Sequence, residues 1–196
     1  MTAMTPETAN RIKQRLFYLH EPHGTSMFAV LDSARDPRVY RAVRTSGLEY
    51  DCLFSGTLAP SLRAAAPYVV HITPNDALTD YLVHEGWGHS WGIFLAVQGS
   101  LPLVRRHLRT LLRVRTETGK NLFFRYYDPR VMRAFLPTCD SEQLMQMFGP
   151  CHRFDMEGPK PDRLVRFRRA PATSGQGLRS WSHAVDESAN VTARDD

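Results

Sequence analysis

The stretch His84-Glu85-Gly86-Trp87-Gly88-His89-Ser90-Trp91-Gly92 carries the residue types of a metal-dependent hydrolase: two imidazoles to hold a zinc ion and a carboxylate to act as general base. Such a site needs its two histidines four residues apart, so that both project from one face of a helix. Here they are five apart, about 500° of helical rotation and so about 140° out of phase. Gly86, Gly88 and Gly92 also weaken any continuous helix. The spacing instead predicts a helix that ends at Glu85, a turn through Gly86 and Gly88, and a strand beginning at Trp91. Trp87 and Trp91 would pack over the turn with their N–H groups bonded locally. His84, Glu85 and His89 are therefore not nominated as metal ligands.

Other catalytic patterns fail sooner. There is no G-x-S-x-G elbow and no phosphate loop of the G-x-x-x-x-G-K-[ST] form, and Gly47 and Gly56 stand alone rather than in a dinucleotide fingerprint. Asp32, Asp36, Asp76, Asp80 and Asp128 all sit where helix caps and turns explain them. Cys52, Cys139 and Cys151 form no CxxC pair, and an odd number cannot all be bridged internally, so reduced thiols are expected. No catalytic residue, metal or cofactor is nominated, which points away from an enzyme.

One charged group remains. Arg125, Asp128 and Arg130 surround a strand-to-helix junction, Leu122-Phe123-Phe124-Arg125-Tyr126-Tyr127-Asp128-Pro129-Arg130. Asp128 is placed to cap the orphan N–H groups of a helix, and Pro129 fits its first position, where no donor is needed. Asp36-Pro37-Arg38 repeats this grammar after the strand-like run Phe28-Ala29-Val30-Leu31-Asp32. The arginines have two compatible readings: bidentate bonds to a carboxylate that brace the junction and, with Tyr126, an exposed surface of the residue types enriched at interface hot spots.

The elements that position these residues alternate. A helix over 6–19 has a narrow stripe of Ile12, Leu16 and Leu19, which predicts loose packing. Strand and helix patterns then follow over 27–31, 37–45, 50–54, 59–65, 68–72 and 77–85, the signature of an α/β domain with a mixed, partly parallel sheet flanked by helices. Strand 91–97, helix 103–110, a hairpin joining 111–115 to 121–127 that adds an antiparallel element to the sheet, and helices 129–135 and 141–148 complete one compact domain. The expected organisation is an N-terminal helix and linker over 1–25, the domain over 26–149, a short basic C-terminal extension over 150–170 able to form a last strand pair, and a flexible tail over 171–196 containing Trp181.

The chain has 196 residues, 42% of them hydrophobic, enough for a sizeable core. No apolar run approaches the roughly 20 residues needed to span a bilayer, and the polar start, Met1 to Asn10, is unlike a signal segment, so a cytoplasmic protein without a membrane partner is expected. The formal charge of +5 comes mostly from scattered arginines with no RNA-recognition, zinc-finger or basic-zipper signature. Solvated faces or an acidic protein partner rank above nucleic acid.

Phe28-Ala29-Val30-Leu31-Asp32, Leu53-Phe54-Ser55-Gly56, Glu85-Gly86-Trp87-Gly88 with Trp91-Gly92-Ile93-Phe94-Leu95, and Phe124-Arg125-Tyr126-Tyr127-Asp128-Pro129-Arg130 with Phe135-Leu136-Pro137 resemble, in order and spacing, the type VI secretion effector chaperones, also called adaptors, a family first described as a domain of unknown function. The resemblance covers 27 to about 148. It implies a non-enzymatic cytosolic protein that binds a toxic effector and helps load it onto the trimeric spike protein without being secreted. The signature residues fall on Trp87, Trp91, Arg125, Asp128 and Arg130, and the resemblance assigns none of them a catalytic role. The other readings are a basic nucleic-acid-binding accessory protein and a metal-dependent hydrolase using His84, Glu85 and His89.

Overall fold

The computed structural model describes residues 5–17, 24–115, 119–160, 162–169 and 178–184. In chain order these form α1 (Pro6–Phe17), β1 (Thr25–Asp32), α2 (Pro37–Thr45), β2 (Tyr50–Cys52), α3 (Pro60–Ala64), β3 (Pro67–Ile72) and α4 (Ala77–Tyr81), which runs into a wide turn of π-helix, Leu82–Gly86. Next come β4 (Gly92–Gln98), α5 (Leu101–Thr110), β5 (Arg113–Arg115), β6 (Asn121–Phe123), α6 (Pro129–Phe135), α7 (Ser141–Phe148), β7 (Cys151–Glu157), β8 (Arg163–Arg169) and β9 (Leu178–Ala184). Local grammar sets most boundaries. α7, for example, starts from a capping box in which Asp140 accepts from the Gln143 N–H and Gln143 reaches back, and it stops at Gly149 with φ +48°.

The protein has an α/β fold, but the expectation of a partly parallel sheet is wrong. Among the described residues the main sheet has the order β2-β3-β1-β4-β7-β8-β9, and every neighbouring pair is antiparallel. β1 and β2 do run in the same sense, as do β3 and β4, but in each case an antiparallel strand lies between them. The misleading signal has a physical source. Helices cover both faces, so β1, β3 and β4 read as unbroken apolar runs, a pattern shared with parallel sheets. The cover causes the pattern, not the strand direction. The hairpin is also displaced from its expected place: β5 and β6 form a separate two-stranded ribbon.

The two faces carry two cores. Phe28, Val30, Val69, Ile93, Leu95, Phe154 and Phe167 face α5, α6 and α7. Ala29, Leu31, Val70, Ile72, Phe94 and Leu164 face α1, α2, α4 and the π-turn. The segment expected as an extension after 149 supplies β7, which pairs with β4, and β8, which pairs with β7, and together they contribute to both cores. Within 171–196 the described residues 178–184 form β9, whose backbone pairs with β8 and sets Trp181 opposite Arg166.

Charge inside the sheet fixes α1. Arg153 and Asp155 alternate on one face of β7, Arg166 lies opposite Asp155 on β8, and all three are buried. The Asp155 carboxylate accepts from Arg166 Nε at 2.6 Å and lies 2.7 Å from Arg153 Nε. The two guanidiniums then reach the last turn of α1, donating to the Leu16 carbonyl at 2.7 Å and the Arg15 carbonyl at 2.8 Å. They neutralise the partial negative charge at that helix end. Ala9, Ile12 and Leu16 are fully buried beneath it, so α1 packs tightly although its stripe is narrow; Leu19 lies outside the described residues. Replacing Asp155 by Ala leaves two guanidiniums buried without their anion, and a loss of about 3–5 kcal/mol is expected in urea unfolding. An unchanged midpoint would mean that water reaches the triad.

Candidate functional site

Both Asp-Pro-Arg segments adopt the geometry their sequence predicts. Asp128 has extended backbone, its Oδ1 accepts the Arg130 N–H at 2.9 Å, and Pro129 opens α6. The Arg130 side chain folds back on the same carboxylate, Nε to Oδ1 at 3.0 Å and Nη2 to Oδ2 at 2.6 Å. Asp36 does the same for α2, with Arg38 Nη2 on Oδ2 at 2.8 Å, and the Arg38 guanidinium lies 5.0 Å from the centre of the Trp91 ring. In each case one carboxylate caps a helix and holds a guanidinium two residues ahead.

Arg125 has a more distant partner. Its Nη2 donates to Oδ2 of Asp32, the last residue of β1, whose other oxygen accepts the Ala34 N–H at 3.1 Å. The Asp32 side chain is 1% exposed and the Arg125 side chain 46% exposed, so a guanidinium half in water covers a buried carboxylate. The Asp128 N–H donates to the Arg125 carbonyl at 3.0 Å, which closes the turn between the two ion pairs. Tyr126, expected on an exposed surface, is instead fully buried; its hydroxyl donates to the Leu108 carbonyl at 3.0 Å, and burial pushes its phenol well above the ordinary pKa. Tyr127 is buried too, and its phenol is raised by burial and then by the nearby Asp32 charge.

Across the same end of the sheet lies the Gly86–Gly92 turn. Trp87 and Trp91 are buried, so they brace the core rather than present a surface. The Trp91 ring sits where a Cβ on Gly86 would come within 2.6 Å of it, and a Cβ on Gly92 would lie 2.1 Å from the Val30 carbonyl oxygen of β1. Only glycine allows either approach. Trp87 stacks on Phe94 with ring centres 6.0 Å apart, but its Nε1 is buried without a partner among the described residues, contrary to the expected local bond. The turn is held by Glu157, the last residue of β7: its carboxylate accepts the Gly88 N–H at 2.6 Å, and the Ser90 N–H and Oγ, each at 3.0 Å. Ser90 takes the left-handed φ of +57° that turns these donors inward. The Glu157 carbonyl in turn accepts from Arg133 of α6.

Arg125, Asp128, Arg130, Trp87, Trp91 and Tyr126 thus share one end of the sheet, but only the two arginines reach solvent. Among the described residues no three of His, Cys, Asp and Glu are arranged to hold a metal ion. The three cysteines are free, and burial raises the Cys52 and Cys139 thiols, away from nucleophilic character. Sequence reasoning missed Asp32 as the partner of Arg125, and missed Glu157, Arg133 and the triad behind α1. A carboxylate ending an apolar strand was the available signal for Asp32; Glu157 ends a strand that already carries His152, Arg153 and Asp155 and gave none.

Burial pushes the Asp128 carboxyl up, but the bonds from the Arg130 side chain and N–H, with the charges of Arg130 and Arg125, outweigh it and hold the group below the ordinary carboxylate value. A depressed pKa contributes stability that is complete above the unfolded value of ~3.9 and is lost as pH falls through the folded value. Asn at 128 keeps the cap but not the charge. D128N is therefore expected to cost about 1 kcal/mol at neutral pH, with the difference from the parent shrinking as pH falls below the ordinary carboxylate range in paired urea titrations. A difference that does not change with pH would assign the effect to something other than the charge.

Comparison with curated proteins and with solved structures finds no match. The family described as "Domain of unknown function (DUF4123)" matches residues 27–146, which include β1, the Gly86–Gly92 turn and the Arg125–Arg130 junction. That span is more than half of the 196-residue chain, and the protein belongs to this family.

Proposed function

We propose that the protein is an effector chaperone, or adaptor, of type VI secretion: a non-enzymatic cytosolic protein that binds a toxic effector and promotes its loading onto the trimeric spike without being secreted. The resemblance on the segments quoted above supports this, and those segments lie wholly inside the family match. The observation that carries it is the pair of half-exposed guanidiniums, Arg125 and Arg130, held over carboxylates that are nearly or wholly buried. Each keeps donors facing water while its position is fixed from below, which is how a recognition surface avoids losing side-chain entropy on binding. No helix of the described residues is long and apolar enough to cross a membrane, which is compatible with this reading.

Co-expression with a toxin and a spike protein encoded beside it tests the proposal. The toxin should stay soluble and the three proteins should copurify through size exclusion. R130A should weaken that complex by about tenfold, with a thermal midpoint lowered only by the few degrees that loss of its ion pair with Asp128 explains. Recovery of neither protein would overturn the proposal. Recovery of nucleic acid instead, with binding that falls steeply as salt rises, would replace it with the accessory-protein reading.

A further inference from the structure

A recess of about 280 Å³ runs along the outer edge of β2, lined among others by Arg44, Arg63, Arg105, Tyr50, Tyr68 and Phe54. It lies outside the junction described above. Three guanidiniums border it against one carboxylate, Asp51, which Arg105 Nε contacts at 2.9 Å. Arg44 and Arg63 have no carboxylate partner among the described residues. A recess with this surplus of positive charge is complementary to an anion.

The surroundings say which kind. β2 is an edge strand. Its pairing with β3 runs through Glu49, Asp51 and Leu53, as the His71 N–H to Glu49 carbonyl and Leu53 N–H to Pro67 carbonyl bonds show, so Tyr50 and Cys52 turn their N–H and C=O groups outward. The Cys52 groups are already occupied, its N–H by Asp51 at 2.8 Å and its carbonyl by Arg105 at 3.0 Å. That cover blocks indiscriminate edge pairing and leaves Tyr50 as the accessible rung. Phe54 continues the recess onto Phe123 of the ribbon, ring centres 5.6 Å apart, and Phe123 is 49% exposed. Guanidiniums beside an open strand edge and an apolar shelf match a polypeptide better than a small free anion.

We propose that this recess binds an acidic, extended segment of a partner polypeptide, with a carboxylate side chain between Arg44, Arg63 and Arg105 and a neighbouring apolar residue on Phe54 and Phe123. The volume admits one or two side chains but not a helix. Because it rests on the recess, the inference does not need the adaptor reading.

Fluorescence anisotropy with the full chain and a labelled peptide of alternating glutamate and leucine tests it, with the glutamine-for-glutamate peptide as comparison. The glutamate peptide is expected to bind more tightly, and the double variant R44Q/R63Q to weaken it by about tenfold or more. Both arginines are exposed, so the variant's thermal midpoint should match the parent's. F123A should weaken binding as well, and R130A should leave it unchanged. Equal binding of the two peptides would overturn the inference, and so would equally effective competition by inorganic phosphate or a single-stranded oligonucleotide. Peptide binding without toxin copurification would remove the adaptor reading alone; copurification that R44Q/R63Q leaves intact, with no peptide binding, would remove this inference alone.

Discussion

A carboxylate buried at the end of a strand must be given donors, and at one end of this sheet that requirement arises twice. Asp32 closes β1 and Glu157 closes β7, and both are almost completely buried. Left unpaired, either would cost several kcal/mol. Each is instead satisfied by a segment that has no regular structure of its own. Asp32 draws Arg125 across the sheet end and so sets the path of the chain into α6, while Glu157 gathers the Gly88 and Ser90 donors and so sets the turn that carries Trp87 and Trp91. The two anchored segments are linked again through Arg133, which donates to the Glu157 carbonyl. The local order of this end follows from electrostatics more than from helix or strand propensity.

The same logic explains why α1 and β8 belong with the core although both lie outside the family match. β7 places Arg153 and Asp155, with Glu157 at its end, on the face that packs Phe94 and Leu164, and Arg153 and Asp155 are fully buried there. Arg166 from β8 and the terminal carbonyls of α1 complete the set. A hydrophobic replacement of similar size would fill the volume equally well. What the ionic version adds is direction: only a helix end, with its unpaired carbonyls, answers two guanidiniums on that face. The narrow apolar stripe of α1 is sufficient because the helix is positioned by its C-terminus.

How much of this was legible in the sequence depends on the range of the interaction. Asp36 and Asp128 as caps, Pro37 and Pro129 as first helical residues, and the helix over 141–148 depend on neighbours a few residues away, and all were read correctly. The α/β class was legible for the same reason. Strand direction was not, because the apolar runs of β1, β3 and β4 record burial on two faces and carry no sign of which way a neighbour runs. The partner of Arg125 was illegible as well. Asp32 is 93 residues away, and as a turn residue it had a sufficient local explanation. Trp87, Trp91 and Tyr126 were singled out by residue type and pattern, but their burial depends on α4, α5 and the sheet coming together, which spacing alone does not state.

Bracing and recognition are compatible roles for the junction arginines, and the geometry gives the physical reason. A guanidinium has five donors in a rigid plane, and the carboxylates of Asp32 and Asp128 occupy only those that point inward. The side chain is then no longer a free rotor. Its remaining donors are presented to solvent at a fixed place, so a partner that meets them loses little additional entropy. A lysine would not serve as well, since its single ammonium centre lacks the planar fork that grips a carboxylate on one side and presents donors on another. The buried anion that stabilises the fold is therefore also what would make the exposed half of the arginine specific.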